Sequence, residues 1–146
     1  MKEALGTSFV FNMMMIFIGV LIAIFVGSLA YTKGFKVRNK IIDIIEKYEG
    51  FTVSAEEEIN ESLASIGYQV RNSTNDTCKV RKSGGTDVSG VKKDYDYCLY
   101  EYNTSRGKYY GVTVFIHIDV PLIGGLINIP LYGESRLVYN KDLIEG

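Results

Sequence analysis

His117 is the one histidine in the chain, set in alternating sequence beside Thr113, Phe115 and Asp119. A hydrolytic triad needs a nucleophile, a histidine to deprotonate it and an acid to orient that histidine. No sharp G-x-S-x-G nucleophile turn occurs, and nothing in the spacing favours Ser105 or Ser135 as a partner. His117 therefore reads as a half-buried sheet residue. The carboxylates Asp96, Glu101 and Asp119 lie in strand-like sequence, where a pair could do acid–base work or bind calcium. No Asp-x-Asp-x-Asp-Gly loop accompanies them, and basic Lys92 and Lys93 lie between Asp87 and Asp94. The acidic run Glu56–Glu58 is explained by the first turn of a helix, where carboxylates complement the positive end of the dipole. One His and two Cys are too few for a zinc or iron–sulfur site. The expectation is a protein without catalytic group, metal or cofactor.

The remaining reactive pair is Cys78 and Cys98. They flank a Gly/Ser-rich loop and lie in strand-like sequence, as a disulfide staple would. Closing a loop of about 20 residues stabilises a domain by about 3 kcal/mol, and it does so only in an oxidising compartment.

What must position these residues begins with an anchor. From Thr7 to Thr32 the chain carries no charge, and as a helix this run spans roughly 39 Å. A bilayer core of about 30 Å needs about 20 apolar residues, so the segment crosses with some tilt. It is too long for the apolar stretch of a cleaved secretory signal and runs straight into amphipathic sequence, which favours a retained anchor. Asn12 is the strongly polar residue of its upper part. It reads either as a residue near the headgroups or as a donor to a neighbouring helix. Lys33, Lys36, Arg38 and Lys40 follow the span, and the positive-inside rule would place the rest of the chain in the cytoplasm. The cysteines argue for the outside, and the expectation adopted is a single-pass protein with an extracellular C-terminal domain.

Val37, Ile41, Ile44, Ile45 and Tyr48 recur at helical spacing through residues 33–50, with Arg38, Lys40, Asp43, Glu46 and Lys47 mostly opposite. Anchor and stalk read as one helix from about Ser8 to Glu49, with Gly34 as a point of loosening and Gly50 as the stop. Its apolar stripe must be covered by something. Ser54 and Glu57 read as a capping box opening a second helix, with Ile59, Leu63 and Ile66 on one face and Gly67 at its end. From Tyr68 the period becomes two. Strands are expected at 68–71, 79–82, 94–102, 111–120 and 126–139, with a loop at 83–94, a turn at 103–108 and a break at 121–125. Pro130 and Gly133 mark the last strand as an edge or bulged strand. Tyr95, Tyr97, Tyr100, Tyr102, Tyr109 and Tyr110 fall on both faces of the sheet. They read as packing or as a contact surface. Leu122 and Ile123 make the break at 121–125 unusually apolar, as a tip buried on the stalk or against a neighbour would be.

The chain has 146 residues, 16 Lys+Arg against 17 Asp+Glu and 47% hydrophobic content. That is one domain plus an appendage, too apolar for disorder. The balanced charge disfavours a nucleic-acid partner.

The start MKEALG, the apolar helix running into an amphipathic stalk, and the small disulfide-bearing sheet domain together resemble type IV pilin-like proteins. The closing stretch HIDVPLIGGLINIPLYGESRLVY is most similar to the end of the tight-adherence, TadE-like pseudopilins. The resemblance implies an α+β fold: a long N-terminal transmembrane and stalk helix, a short second helix, then a small antiparallel sheet. It divides the chain into a leader-like start and anchor (1–32), a stalk (33–50) and an extracellular domain (51–146). Gly6 would precede the processing site and Thr7 would be the mature N-terminus. Phe11 stands at the fifth mature position, where the family commonly carries a Glu that pairs with a neighbour's amine. The implied role is a minor subunit of a pilus or secretion filament. Its partners would be the lipid bilayer and other pilin-like subunits, with Asn12, Val37, Ile41, Ile44, Ile45, Leu122 and Ile123 as assembly contacts. The rival reading is a single-pass ectodomain that binds a ligand or surface as a monomer.

Overall fold

The computed structural model describes residues 2–68, 78, 83–88, 97–120 and 125–139, with side chains for all but 2–3, 117–120 and 125–128. Helix α1 spans Lys2–Lys47 without a break, about 69 Å at 1.5 Å per residue. It is closed by Glu49, whose φ of 53° puts a non-glycine residue in the left-handed position, while the Gly50 N–H returns to the Ile45 carbonyl. This is a Schellman-type closure whose left-handed residue falls one position before the glycine that marks the stop in the sequence.

Helix α2 covers Val53–Ile66 and buries Ala55, Ile59 and Leu63 in line. Its N-cap is Thr52, whose hydroxyl accepts from the Ala55 N–H, and not Ser54 as the capping-box pattern suggested. Burying Ala55 in register with Ile59 and Leu63 places Ala55 inside the first turn, so the cap falls two residues earlier. Gly67, at φ 67°, closes the other end as expected.

Strands β1 (Gly85–Asp87), β2 (Tyr97–Thr104), β3 (Gly107–Val120) and β4 (Gly125–Glu134) form one antiparallel meander in the order β1-β2-β3-β4. The architecture is α+β, a long helix and a short one followed by a small antiparallel sheet, as the sequence implied. β1 corrects the loop expected over 83–94. Its three residues have weak strand propensity and are held by pairing with β2 at Tyr100–Tyr102, an edge that local sequence does not reveal. Of the strands expected at 68–71 and 79–82, Tyr68 is not in a strand, and residues 69–71 and 79–82 lie outside the described residues.

The helix-side core unites Val37, Ile41, Ile44 and Ile45 of α1 with Ile59 and Leu63 of α2 and Tyr97, Leu99, Val112 and Val114 of the sheet. Gly34 lies directly over the sheet: a Cβ there would meet Ile116 Cγ1 at 2.5 Å and Leu131 Cδ1 at 3.0 Å. Farther up the helix, Arg38 and Ile42 pack on Gly133. The Glu46 carboxylate then accepts from the Arg136 N–H at 2.7 Å. β4 therefore runs beside α1 in the same direction, and β3 runs back.

Even-numbered β3 residues direct their backbone groups to the β4 side, as the Lys108–Val138 and Tyr110–Ser135 bonds show. By alternation Pro130, paired with Phe115, places its nitrogen on the outer edge of the sheet, where no N–H is needed. The register slips by one residue between Gly111–Glu134 and Lys108–Val138, which is the bulge of an edge strand.

Candidate functional site

Among the described residues, most of the exposed large apolar side chains lie on the first two thirds of α1. Ile16 is 68% exposed and Phe25 64%, and Phe9, Phe11, Phe17 and Ile24 are equally open. A core helix would be covered by the rest of the chain; this segment is not, and by length and composition it can be a single membrane span. Gly6, Thr7 and Asn12 lie on this open stretch.

The change from open to buried is abrupt. Val37, Ile41 and Ile45 are 0% exposed and Ile44 2%, because the chain's own sheet and α2 cover the stripe. These four residues, expected as assembly contacts, thus have their apolar surface buried within the chain itself. The expectation for Gly34 is corrected: the glycine does not loosen the helix, which is continuous there; it admits Ile116 and Leu131 to the helix backbone. Leu122 and Ile123 lie outside the described residues.

Two of the basic residues after the span have partners inside the domain. Lys33 Nζ donates to the Gly67 carbonyl at 2.9 Å, just beyond the C-terminus of α2, where the dipole favours a cation. Arg38 donates to the Tyr132 carbonyl at 3.1 Å and lies 4.0 Å over the Phe35 ring. That carbonyl is on the outer edge of β4, so the guanidinium blunts an otherwise open strand edge. Farther along, Lys47 pairs with Glu58 at 2.7 Å, and hydrogen bonds from Lys47 and Tyr48 pull the Glu58 carboxyl below its usual range.

The tyrosines divide between the two faces. Tyr97 and Tyr110 belong to the helix side, while Tyr100 and Tyr102 cluster on the other face with Cys98, and Cys78, Tyr109, Phe115 and Tyr132 pack around them. Cys78 and Cys98 are joined as a disulfide with Cα atoms 5.6 Å apart. The Tyr102 and Tyr109 rings stack at 4.8 Å. The Tyr132 hydroxyl donates to Glu134 at 3.0 Å and lies 3.5 Å from the Tyr102 hydroxyl. Burial, then those two neighbours, push its phenol far above the ordinary value, so it stays protonated. Gly111 makes room for this fold-over, since a Cβ there would lie 2.6 Å from the Tyr132 oxygen. The Thr113 hydroxyl on the same face is 2% exposed and has no hydrogen-bond partner among the described residues.

Glu101 accepts from Lys108 at 3.0 Å and from Tyr110 at 3.2 Å. Both partners come from β3, so Glu101 ties two strands together rather than presenting a free carboxylate. Burial and the Glu101 charge push the Tyr110 phenol up, which removes it as a base at neutral pH. The backbone places His117 opposite Asn128 and Asp119 opposite Leu126. Asp94 and Asp96 lie outside the described residues. No group of three His, Cys, Asp or Glu able to hold a metal occurs among the described residues.

Tyr68 was read only as the start of a strand, and its actual task had no local signal. Its hydroxyl donates to the Phe115 carbonyl and accepts from the Phe115 N–H, both at 3.0 Å, one residue beyond the last β2–β3 pair. The contacts of Gly34, Gly133 and Lys33 lack a local signal for the same reason: each acts on a residue at least 34 positions away.

No family model, curated protein or solved structure matches the chain.

Proposed function

We propose that the protein is a non-enzymatic, pilin-like subunit that assembles through its N-terminal helix into a pilus or secretion filament. The observation that carries this reading is the single continuous helix, open and apolar over its first two thirds and locked into an antiparallel sheet over its last third. Apolar surface of this extent is not stable in water. Lipid covers it before assembly, and neighbouring helices cover it afterwards. The assembly surface is accordingly the span itself, with Gly6, Thr7 and Asn12, and not the stalk stripe. The disulfide supports an extracellular domain. The engagement of Lys33 and Arg38 within the fold accounts for basic residues beside the span without a cytoplasmic domain.

A second reading is favoured by the complete burial of the stalk stripe and by Phe11 in place of the assembly Glu. On that reading the chain is a single-pass membrane anchor whose ectodomain binds a ligand or surface as a monomer. The native N-terminus and intact mass, measured separately in membrane and sheared-surface fractions, decide between them. A chain beginning at Thr7, two hydrogens light and present in the sheared fraction, supports the filament subunit. Met1 retained with the protein confined to the membrane sinks it, and the anchored ectodomain then leads.

A further inference from the structure

The relative direction of α1 and the β3–β4 hairpin has a consequence for the membrane. From the level of Gly34, β4 ascends beside α1, so the ends of β3 and β4 that precede Leu131 and follow Ile116 descend toward the apolar span. Gly34 touches both Ile116 and Leu131. The last hairpin pair, Val120–Gly125, is therefore about four or five strand residues below that level, roughly 13–17 Å. At 1.5 Å per helical residue this corresponds to about nine to eleven residues of α1, the level of about Ala23–Phe25. That is inside the uncharged run.

The strand ends suit such a position. In the register, Ile118 is paired with Ile127 and Val120 with Gly125. Asp119, paired with Leu126, is too costly to carry to the bilayer centre and limits the depth to the boundary layer. Exposed Tyr31 and Phe35 lie on α1 just above this level, where aromatic residues favour the headgroups, and Lys36 is exposed beside them. We infer that the far end of the β3–β4 hairpin, residues 117–120 and 125–128, is a second membrane contact that enters the interface of the same leaflet beside α1. The domain then rests on the bilayer through two adjoining elements instead of standing away on a stalk. The inference rests on the reading of α1 as a membrane span.

The chain contains no Trp, so an introduced one reports alone. Full-length variants Val120→Trp and Leu126→Trp, at two registers of the hairpin end, are reconstituted in phosphatidylcholine vesicles. The lipids are brominated either near the carbonyl end or near the methyl end of the acyl chains. Phe17→Trp reports the span, Arg106→Trp reports the opposite end of the sheet, and intact mass confirms the disulfide in each. The expected result is a blue-shifted hairpin emission lost to shallow bromines more than to deep ones. Phe17→Trp should be lost to deep bromines, and Arg106→Trp should be unaffected. Quenching at Phe17→Trp with none at either hairpin position overturns the inference and leaves the span intact. Equal quenching at Arg106→Trp also overturns it, since the whole domain would then lie on the surface. No quenching at Phe17→Trp removes the span reading and the inference with it.

Discussion

Gly34→Ala separates two accounts of the same glycine by the sign of a stability change. In an exposed helix interior, replacing Gly by Ala stabilises by about 1 kcal/mol. A glycine that merely loosens the helix should behave this way. Here the new Cβ would lie 2.5 Å from Ile116 Cγ1, 2.7 Å from its Cδ1 and 3.0 Å from Leu131 Cδ1. Normal contact requires a shift of about 1 Å, met by lifting α1 from the sheet or by driving Ile116 off its rotamer. Overpacking of this kind costs about 1–3 kcal/mol, so the propensity gain is offset and the net change is about 0–2 kcal/mol destabilising. Ile116→Ala removes the two closest atoms at its own cavity cost, and in that background Gly34→Ala should stabilise by up to about 1 kcal/mol. The coupling between the two positions is then about 1–3 kcal/mol. Urea unfolding of the full chain in detergent micelles measures all four corners of the cycle. Stabilisation by about 1 kcal/mol in the parent, with no coupling to Ile116, would refute the close-approach argument.

Reducing the Cys78–Cys98 bond, which spans 20 residues, should lower stability by about 3 kcal/mol through the freed unfolded chain; unfolding midpoints with and without reductant test this. Thr113→Val should stabilise by about 1 kcal/mol, since it removes a buried hydroxyl that lacks a partner among the described residues and keeps the shape of the side chain. A loss of stability in the same unfolding assay would show that the hydroxyl has a role. Tyr132 titrates above its ordinary value of 10.0 in the folded state because burial and its two neighbours favour the neutral phenol. Its contribution is therefore complete below about pH 10 and is lost as pH rises beyond that. Tyr132→Phe should flatten the alkaline decline of the melting temperature without abolishing it, because Tyr110 shifts in the same direction. An unchanged alkaline slope would count against the linkage.

The sequence alone determined whatever depends on neighbours a few residues apart. The uncharged run from Thr7 to Thr32 specified an uncovered apolar helix, and 3.6-residue spacing carried it through Ile45. Gly67 specified the end of α2, and alternation placed Val112, Val114 and Ile116 on one face. Pro130 announced an edge strand because a missing N–H is tolerated only there. The disulfide was legible from two cysteines around a single loop. Only tertiary structure decided what covers the stalk stripe, since an apolar face states that it will be buried and not against what. The chain's own sheet and α2 cover it. β1, the Tyr68 bond to Phe115, the Lys33 cap of α2 and the contact of Gly34 with Ile116 were equally decided at a distance. Each joins groups 13 or more residues apart, where local propensity carries no information and close packing selects the partner.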